Sequence, residues 1–294
     1  MADGGTPEPA PLAAWDRVKL ARHPQRPHAL DYLRELTTNF VELHGDRVFG
    51  DDHALIGGLA AFDGCTVMVL AHQKGGNTKE NIDRNFGMAR PEGYRKAERL
   101  LRHAEKFRFP VIALIDTPGA DVGVGSEERG QATAIAESLL TMADLRVPSI
   151  AVVIGEGGSG GALAIGVADR MLMLENAIYS VASPEASAAI LWRDAARAPE
   201  AAATMRITAP DLLGFGVIDE IVPEPEPAHE RPRATIQATG AAIARHLREL
   251  LAAYPLDDPA AVDRLREARY RRYRRLGVWR DEADQALRVG SAAS

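Results

Sequence analysis

The sequence predicts an α/β protein in which buried strands alternate with helices. Short apolar runs of strand length recur between residues 55 and 181. Segments with helical spacing separate several of these runs, and glycine-rich turns follow two of them. Apolar strands of this kind are buried on both faces, which is typical of a largely parallel sheet covered by helices.

The composition describes a soluble globular chain and excludes several functional classes. The protein has 294 residues, 46% of them hydrophobic, and a net charge of -6, which argues against nucleic acid as a main partner. No apolar run approaches the roughly 20 residues that span a bilayer, and the first residues lack a signal-peptide pattern. Cys65 is the single cysteine, so neither a disulfide nor a Cys-rich metal site is expected, and the cytoplasm is the predicted location.

The first 45 residues divide into a disordered segment and a helical one. Residues 1–14 are rich in Pro, Gly and Ala and are expected to be disordered. The near-helical recurrence of apolar residues then predicts helix between Trp15 and Gly45. Asp31 is expected near a helix N-terminus, where the helix dipole stabilises an acidic side chain.

The middle of the chain contains the predicted sheet. An Asp63-Gly64 pair between two apolar runs predicts a hairpin with strands at Leu55–Phe62 and Cys65–His72. A serine cap at Ser183, followed by Pro184, predicts the start of a later helix. The remaining predicted helices are Pro91–Phe107, Glu127–Ala143 and Gly160–Ala168, and the remaining strands are Val111–Asp116, Ser149–Gly155 and one or two within Arg170–Val181.

The C-terminal part changes in composition. A polar, proline-rich loop follows Pro223, and a helix is predicted from about Ala234 to Tyr254. Residues 15–254 are therefore expected to form one domain, with a helical tail at 255–294. The tail is rich in arginine between Leu265 and Trp279, which permits binding to RNA or an acidic surface but favours a solvated helix or one packed on a partner.

Two segments share a design in which a buried strand runs into a glycine-rich turn and then a helix. The first turn is Thr117–Ala120, with Gly123 following it, and the second is Gly155–Gly161. A helix that begins in glycines presents unpaired backbone N–H groups, and the backbone can approach a ligand closely. Such turns suit a phosphate, a carboxylate or an oxyanion that develops in a transition state.

Several interpretations of these turns compete. A P-loop is excluded because Ala162 stands where that motif needs lysine. Gly155–Gly160 satisfies GxGxxG, with Glu175 near the spacing of a ribose-binding acid, so a dinucleotide site remains an alternative. Residues 157–161 match GxSxG around Ser159, so a hydrolase is a second alternative, although no His/Asp pair is placed by the sequence. Two such units about 40 residues apart favour a shared oxyanion site.

The chain resembles the carboxyltransferase alpha subunit of multisubunit acetyl-CoA carboxylase, within the crotonase-like superfamily. The matching segments occur in order over about residues 14–280. They are ARHPQRP (21–27), HQKG (72–75), RNFGM (84–88), PEGYRKA (91–97), IDTPGA (115–120), EERGQ (127–131), IGEGGSGGALAIG (154–166), YSVASPE (179–185), AILW (189–192) and IVPEP (221–225).

The resemblance implies a repeated ββα superhelix of the crotonase/ClpP type with flanking helices. It also implies an active site shared with a beta subunit in an α2β2 heterotetramer, acetyl-CoA and malonyl-CoA as substrate and product, and carboxybiotin delivered by a separate biotin carboxyl carrier protein. No metal is expected on this subunit. The expected catalytic amides are those of Gly160 and Gly161, supported by Gly119 and Ala120. The expected cofactor-binding residues are Gly157, Gly158, Ser159 and Gly123.

Two departures from the family pattern carry expectations of their own. Asp121-Val122 stands where a Tyr-Pro pair is expected, so a specialised acyl-CoA carboxylase of a secondary pathway is an alternative. Familiar members carry further helical sequence before the segment matching Trp15, so the oligomer contacts are expected to differ. A stand-alone crotonase-like hydratase or hydrolase, a scaffold and a regulatory module are the remaining alternatives. His72 and Lys74 are candidates for substrate contact, although an ordinary polar strand end is favoured for them.

Overall fold

The computed structural model describes residues 12–277, and within them one eight-stranded mixed sheet forms the centre of the fold. The sheet order is β1-β2-β3-β4-β5-β6-β8, and β7 pairs with the end of β5. The α/β prediction is therefore confirmed. The strands are β1 (Thr38–Glu42), β2 (Leu55–Phe62), β3 (Cys65–His72), β4 (Val111–Thr117), β5 (Ser149–Gly158), β6 (Arg170–Leu174), β7 (Ile178–Ser180) and β8 (Glu220–Val222).

Helices cover the sheet, and none of the described ones is long and apolar enough to cross a membrane. They are α1 (Ala14–Ala21), α2 (Ala29–Leu36), α3 (Thr78–Asp83), α4 (Pro91–Phe107), α5 (Val124–Glu128), α6 (Gln131–Asp144), α7 (Ser159–Leu163), α8 (Pro184–Trp192), α9 (Ala198–Met205), α10 (Ala209–Gly214), α11 (Pro232–Ala253) and α12 (Pro259–Arg274).

The predicted hairpin is confirmed at both strands. β2 and β3 pair antiparallel with Phe62 opposite Cys65, and the turn residues Asp63 and Gly64 have φ of 48° and 82°. Positive φ at both central residues defines the turn type that follows the natural twist of the strands. From β3 onward every pairing along the sheet is parallel, so β3, β4 and β5 all end at the same edge.

The prediction of helix between Trp15 and Gly45 is confirmed over two segments and is wrong after Leu36. Two short helices, α1 and α2, are followed by the strand β1, which pairs with β2. Pro24 and Pro27 lie between the helices, where proline and the residue before it disfavour helix. Asp31 is placed as predicted, because its carboxylate accepts the His28 amide in a capping box. The disordered segment predicted for residues 1–14 lies almost wholly outside the described residues.

Two predicted helices are shorter or divided in the structure. Glu127–Ala143 separates into α5 and α6 at Gly130, which has φ of 79° and caps the second helix. The helix predicted at Gly160–Ala168 ends at Leu163. The capped helix α8 is confirmed, since the Ser183 side chain accepts the Ala186 amide at 3.1 Å.

The arginine-rich tail packs on the domain. Arg269 in α12 is 1% exposed and bonds both oxygens of Asp169, at 2.9 and 2.8 Å. It also donates to the carbonyl oxygens of Leu145 at 2.5 Å and Val147 at 3.2 Å, just before β5. The described part of the tail is therefore anchored through buried hydrogen bonds, while Trp279 lies outside the described residues.

Candidate active site at two glycine turns

The two glycine turns lie side by side because β4 and β5 are parallel neighbours. Thr117 pairs with Gly157 at the ends of these strands. A Cβ atom at Gly158 would lie 2.0 Å from the carbonyl oxygen of Pro118, and one at Gly161 would lie 2.6 Å from the amide nitrogen of Ala120. Only glycine allows backbone to approach backbone this closely.

The first turn offers one uncommitted amide. The N–H of Gly119 donates to the Thr117 hydroxyl at 3.1 Å, whereas the N–H of Ala120 has no acceptor within residues 12–277. Gly119 has φ of 155°, and a Cβ atom built there would meet nothing within 4 Å. Open space therefore lies beside the free amide.

The second turn forms the start of α7. Gly160 and Gly161 occupy the first turn of this helix, where amides lack an acceptor within the helix. Gly160 is half-buried and Gly161 is buried. Of the expected cofactor-binding residues, Gly157 and Gly158 are buried beneath the turns, while Ser159 and Gly123 are exposed.

Ser159 has the strand–turn–helix setting of a nucleophilic serine but lacks the partners of one. Its φ of 50° is a left-handed conformation that non-glycine residues rarely adopt. Within residues 12–277, no histidine or carboxylate hydrogen-bonds the Ser159 hydroxyl. The histidines that contact carboxylates do so elsewhere in the fold. The geometry therefore supplies no triad to activate this serine.

A buried charged cluster lies directly behind the two turns. The Asp116 carboxylate, at the end of β4, accepts from Lys74 Nζ at 2.7 Å and from the Glu156 amide at 3.0 Å. His28 Nδ1 lies 3.3 Å from its second oxygen. Lys74 also donates to the Glu156 carboxylate at 2.9 Å, and Arg22 donates to the same carboxylate at 2.6 Å.

This cluster was not predicted from the sequence. Its signal was present, because Asp116 and Glu156 are acidic residues inside otherwise apolar strands, and Lys74 follows the apolar end of β3. A charged residue within a buried strand needs a partner. Since the carboxyl ends of neighbouring parallel strands share an edge, that partner could have been sought on the adjacent strand.

The cluster holds Asp116 and Lys74 in their charged forms. Burial raises the pKa of Asp116, but Lys74 and His28 outweigh it and hold that pKa well below its usual range. Burial likewise lowers the pKa of Lys74, but Asp116 and Glu156 raise it above its usual value. The ammonium group and the Asp116 carboxylate therefore remain ionised around neutral pH.

His72 is fully buried and neutral. Burial is the main cause that lowers its pKa from 6.5 to about 4. Neither ring nitrogen has a partner at full hydrogen-bond geometry within the described residues. With no exposed surface, this side chain does not reach a substrate, in contrast to Lys74, which lies at a pocket.

The pocket beside the turns has a volume of about 440 Å³ and reaches the cluster through Lys74 and Glu156. Pro118 of the first turn forms part of its wall. Its other lining residues are Ala21, Arg22, His23, Pro24, His28, Gly75, Gly76, Asn77, Thr78, Asn81 and Phe86. A ligand at the turns would thus meet polar and charged side chains on one side.

The fold is that of the crotonase-like carboxyltransferases. The chain is similar to the transcarboxylase 12S core, with a TM-score of 0.61 and 20% identity over 83% of this chain and 46% of that one. It is also similar to a chain of a Pseudomonas malonate decarboxylase hetero-tetramer, with a TM-score of 0.59 and 22% identity over 77% and 92% of the two chains. The fold expected from the resemblance is therefore confirmed.

The sequence comparisons define the particular family. Residues 9–277 match the family model described as acetyl co-enzyme A carboxylase carboxyltransferase-like. The alpha subunit from Geobacter metallireducens is 55% identical over 91% of this chain and 82% of its own length. The one from Geobacillus kaustophilus is 54% identical over 91% and 81%. The chain belongs to the family of acetyl-CoA carboxylase carboxyltransferase alpha subunits, and its enzyme class is that of a transferase. Membership favours this interpretation over the dinucleotide-binding and hydrolase alternatives.

Proposed function

We propose that this chain binds carboxybiotin at its two glycine turns and contributes the alpha half of the site that converts acetyl-CoA to malonyl-CoA. One observation carries the proposal: the turns are in backbone contact, and the free Ala120 amide borders open space at Gly119. A planar ureido group fits beside the two turns, because its oxygen needs N–H donors and the backbone must approach it closely.

When bound, carboxybiotin supplies the carboxyl group, and its ureido oxygen gains negative charge as that group leaves. The residues of this chain stabilise that charge. The Ala120 amide donates from the first turn, and the amides of Gly160 and Gly161 donate from the second. Donors of this type are worth ~2.7–4 kcal/mol each in transition-state stabilisation. Gly119 has no side chain that would block the ligand from the Ala120 amide. Its own N–H stabilises the turn by donating to the Thr117 hydroxyl.

The buried glycines have a different role in this proposal. Gly158 allows the two turns to pack, since a Cβ atom there would lie 2.0 Å from the Pro118 carbonyl oxygen. Gly157 leaves room for the Tyr179 ring, which would lie 2.4 Å from a Cβ atom at that position. The exposed Ser159 and Gly123 border the bound group instead. No metal takes part on this subunit, because the proposed chemistry needs only amide donors.

The proposed partners follow from family membership. A carboxyltransferase beta subunit completes the site and holds acyl-CoA, in an α2β2 heterotetramer, and a biotin carboxyl carrier protein delivers the cofactor in the cytoplasm. Asp121-Val122 stands where the family pattern has a Tyr-Pro pair, and Val122 is 92% accessible beside the first turn.

This difference bears on which acyl group is carboxylated. Turnover measured with a panel of acyl-CoA substrates distinguishes acetyl-CoA from a larger acyl group.

The test is biotin-dependent decarboxylation of malonyl-CoA by the full chain mixed with its beta subunit. Gly161→Val is expected to lower turnover by about 100-fold or more, because its side chain enters the Ala120 backbone. Gly214→Ala is the matched control, since a Cβ atom there meets nothing within 4 Å. Near-normal turnover by folded, assembled Gly161→Val would reject the assignment.

A further inference from the structure

The pairing of β4 with β5 is interrupted at the position of the charged cluster. Ile115 pairs with Val153, and the next pair is Thr117 with Gly157. The chain therefore advances two residues on β4 and four on β5, so β5 carries two additional residues. An irregularity of this kind bends the strand that contains it and changes the direction of its side chains.

The Asp116 carboxylate fills the interruption. It accepts the Glu156 amide at 3.0 Å, which replaces a ladder bond that the irregularity removes. A Cβ atom at Gly155 would lie 2.5 Å from Asp116 Oδ1, so the glycine leaves room for the carboxylate. The side chain is 2% exposed, and a charge buried this deeply needs a partner.

Lys74 supplies that partner. Its ammonium group bonds both Asp116 and Glu156, at 2.7 and 2.9 Å, so one cation that follows the end of β3 joins the ends of β4 and β5. Without it the two carboxylates would repel each other across the interruption.

We infer that Asp116 and Lys74 are positioning residues, which set the spacing between the two glycine turns by holding the widened end of β5 against β4. Asp116 does not touch substrate, because it is buried behind the turns. The inference rests on the proposed function for its effect on turnover, but its effect on backbone geometry is independent of activity.

The test uses Asp116→Ala and Asp116→Asn in the full chain with its beta subunit. Asp116→Ala is expected to lower kcat about 100-fold with KM for malonyl-CoA nearly unchanged, because turns that are slightly misplaced bind substrate but stabilise charge poorly. Asp116→Asn is expected to lower kcat only about tenfold, since its amide oxygen still accepts the Glu156 N–H. This graded rescue separates positioning from a general loss of fold.

Hydrogen exchange provides the second readout. Asp116→Ala should speed exchange in a peptide covering residues 154–161 and leave 149–153 unchanged. Asp169→Asn is the matched control, because Asp169 accepts the Ser149 amide at the other end of β5 and should not lower kcat. Unchanged kcat and exchange in Asp116→Ala, or an equal kcat loss in Asp169→Asn, would overturn the inference. Altered exchange together with an active Gly161→Val would reject the proposed function alone.

Discussion

The two ends of β5 are held by the same chemistry and differ in what surrounds it. At the start, the Ser149 amide donates to Asp169, which pairs with Arg269. At the end, the Glu156 amide donates to Asp116, which pairs with Lys74. Each end therefore combines a strand amide, a buried carboxylate and a cation from a distant part of the chain.

The cations distinguish the two ends. Arg269 is 1% exposed and directs its remaining donors at backbone carbonyls, so this end is closed. Lys74 lines the pocket beside the turns, so the other end meets a ligand-sized space. The closed end is expected to govern stability, and the open end is expected to govern activity.

The largest effect is expected from Asp169→Ala. Removal of this carboxylate leaves Arg269 buried without its charged partner, and the free energy of unfolding should fall by about 3–5 kcal/mol. Urea unfolding measures it. Asp263→Ala breaks exposed pairs with Arg146 and Arg266 and should change stability by less than about 1 kcal/mol. A small loss in Asp169→Ala would contradict the assignment of this end to stability.

Stability should also depend on pH through His72, the buried last residue of β3. Its folded pKa of about 4 lies below the unfolded value of 6.5, so the unfolded chain binds a proton first. The contribution of neutral His72 to the free energy of unfolding is fully present above pH 6.5. It is lost as the pH falls toward 4 and amounts to about 3 kcal/mol. His72→Leu should flatten this part of the stability profile in urea titrations, and an unchanged slope would count against a buried neutral imidazole.

Gly161→Ala and Gly160→Ala should separate steric fit from amide donation. A methyl group at Gly161 meets the Ala120 nitrogen at 2.6 Å, whereas one at Gly160 comes no closer than 3.7 Å to Ile135. Turnover is expected to fall about 100-fold in the first variant and less than about tenfold in the second. Steady-state assays of the assembled enzyme measure the ratio, and equal losses would show that spacing is not the cause.

The smallest effect is expected from Ser159→Gly. Serine holds φ of 50° here, and glycine adopts this conformation without the usual cost of about 1 kcal/mol. Thermal unfolding should show a gain of that order. Loss of nearly all turnover would return Ser159 to consideration as a nucleophile, because a residue that only borders the bound group is not required for the chemistry.

Local patterns were sufficient to predict much of the fold. The hairpin strands and α4 have the predicted bounds, because turn chemistry and helix caps act between neighbouring residues. The helix predicted over residues 15–45 was wrong at β1, since the pairing of β1 with β2 depends on residues farther along the chain. The pairing of the two glycine turns was expected, but the cluster around Asp116 depends on strand register, which the sequence pattern does not specify.

Arg269 also bears on the order in which the chain folds during synthesis. It lies 100 residues after its partner Asp169, and β5, whose first end the pair holds, is synthesised earlier still. During synthesis, which proceeds at about 5–20 residues per second, β5 has no cation at its first end until α12 emerges. The first end of β5 is therefore secured late, by a contact between segments far apart in the chain.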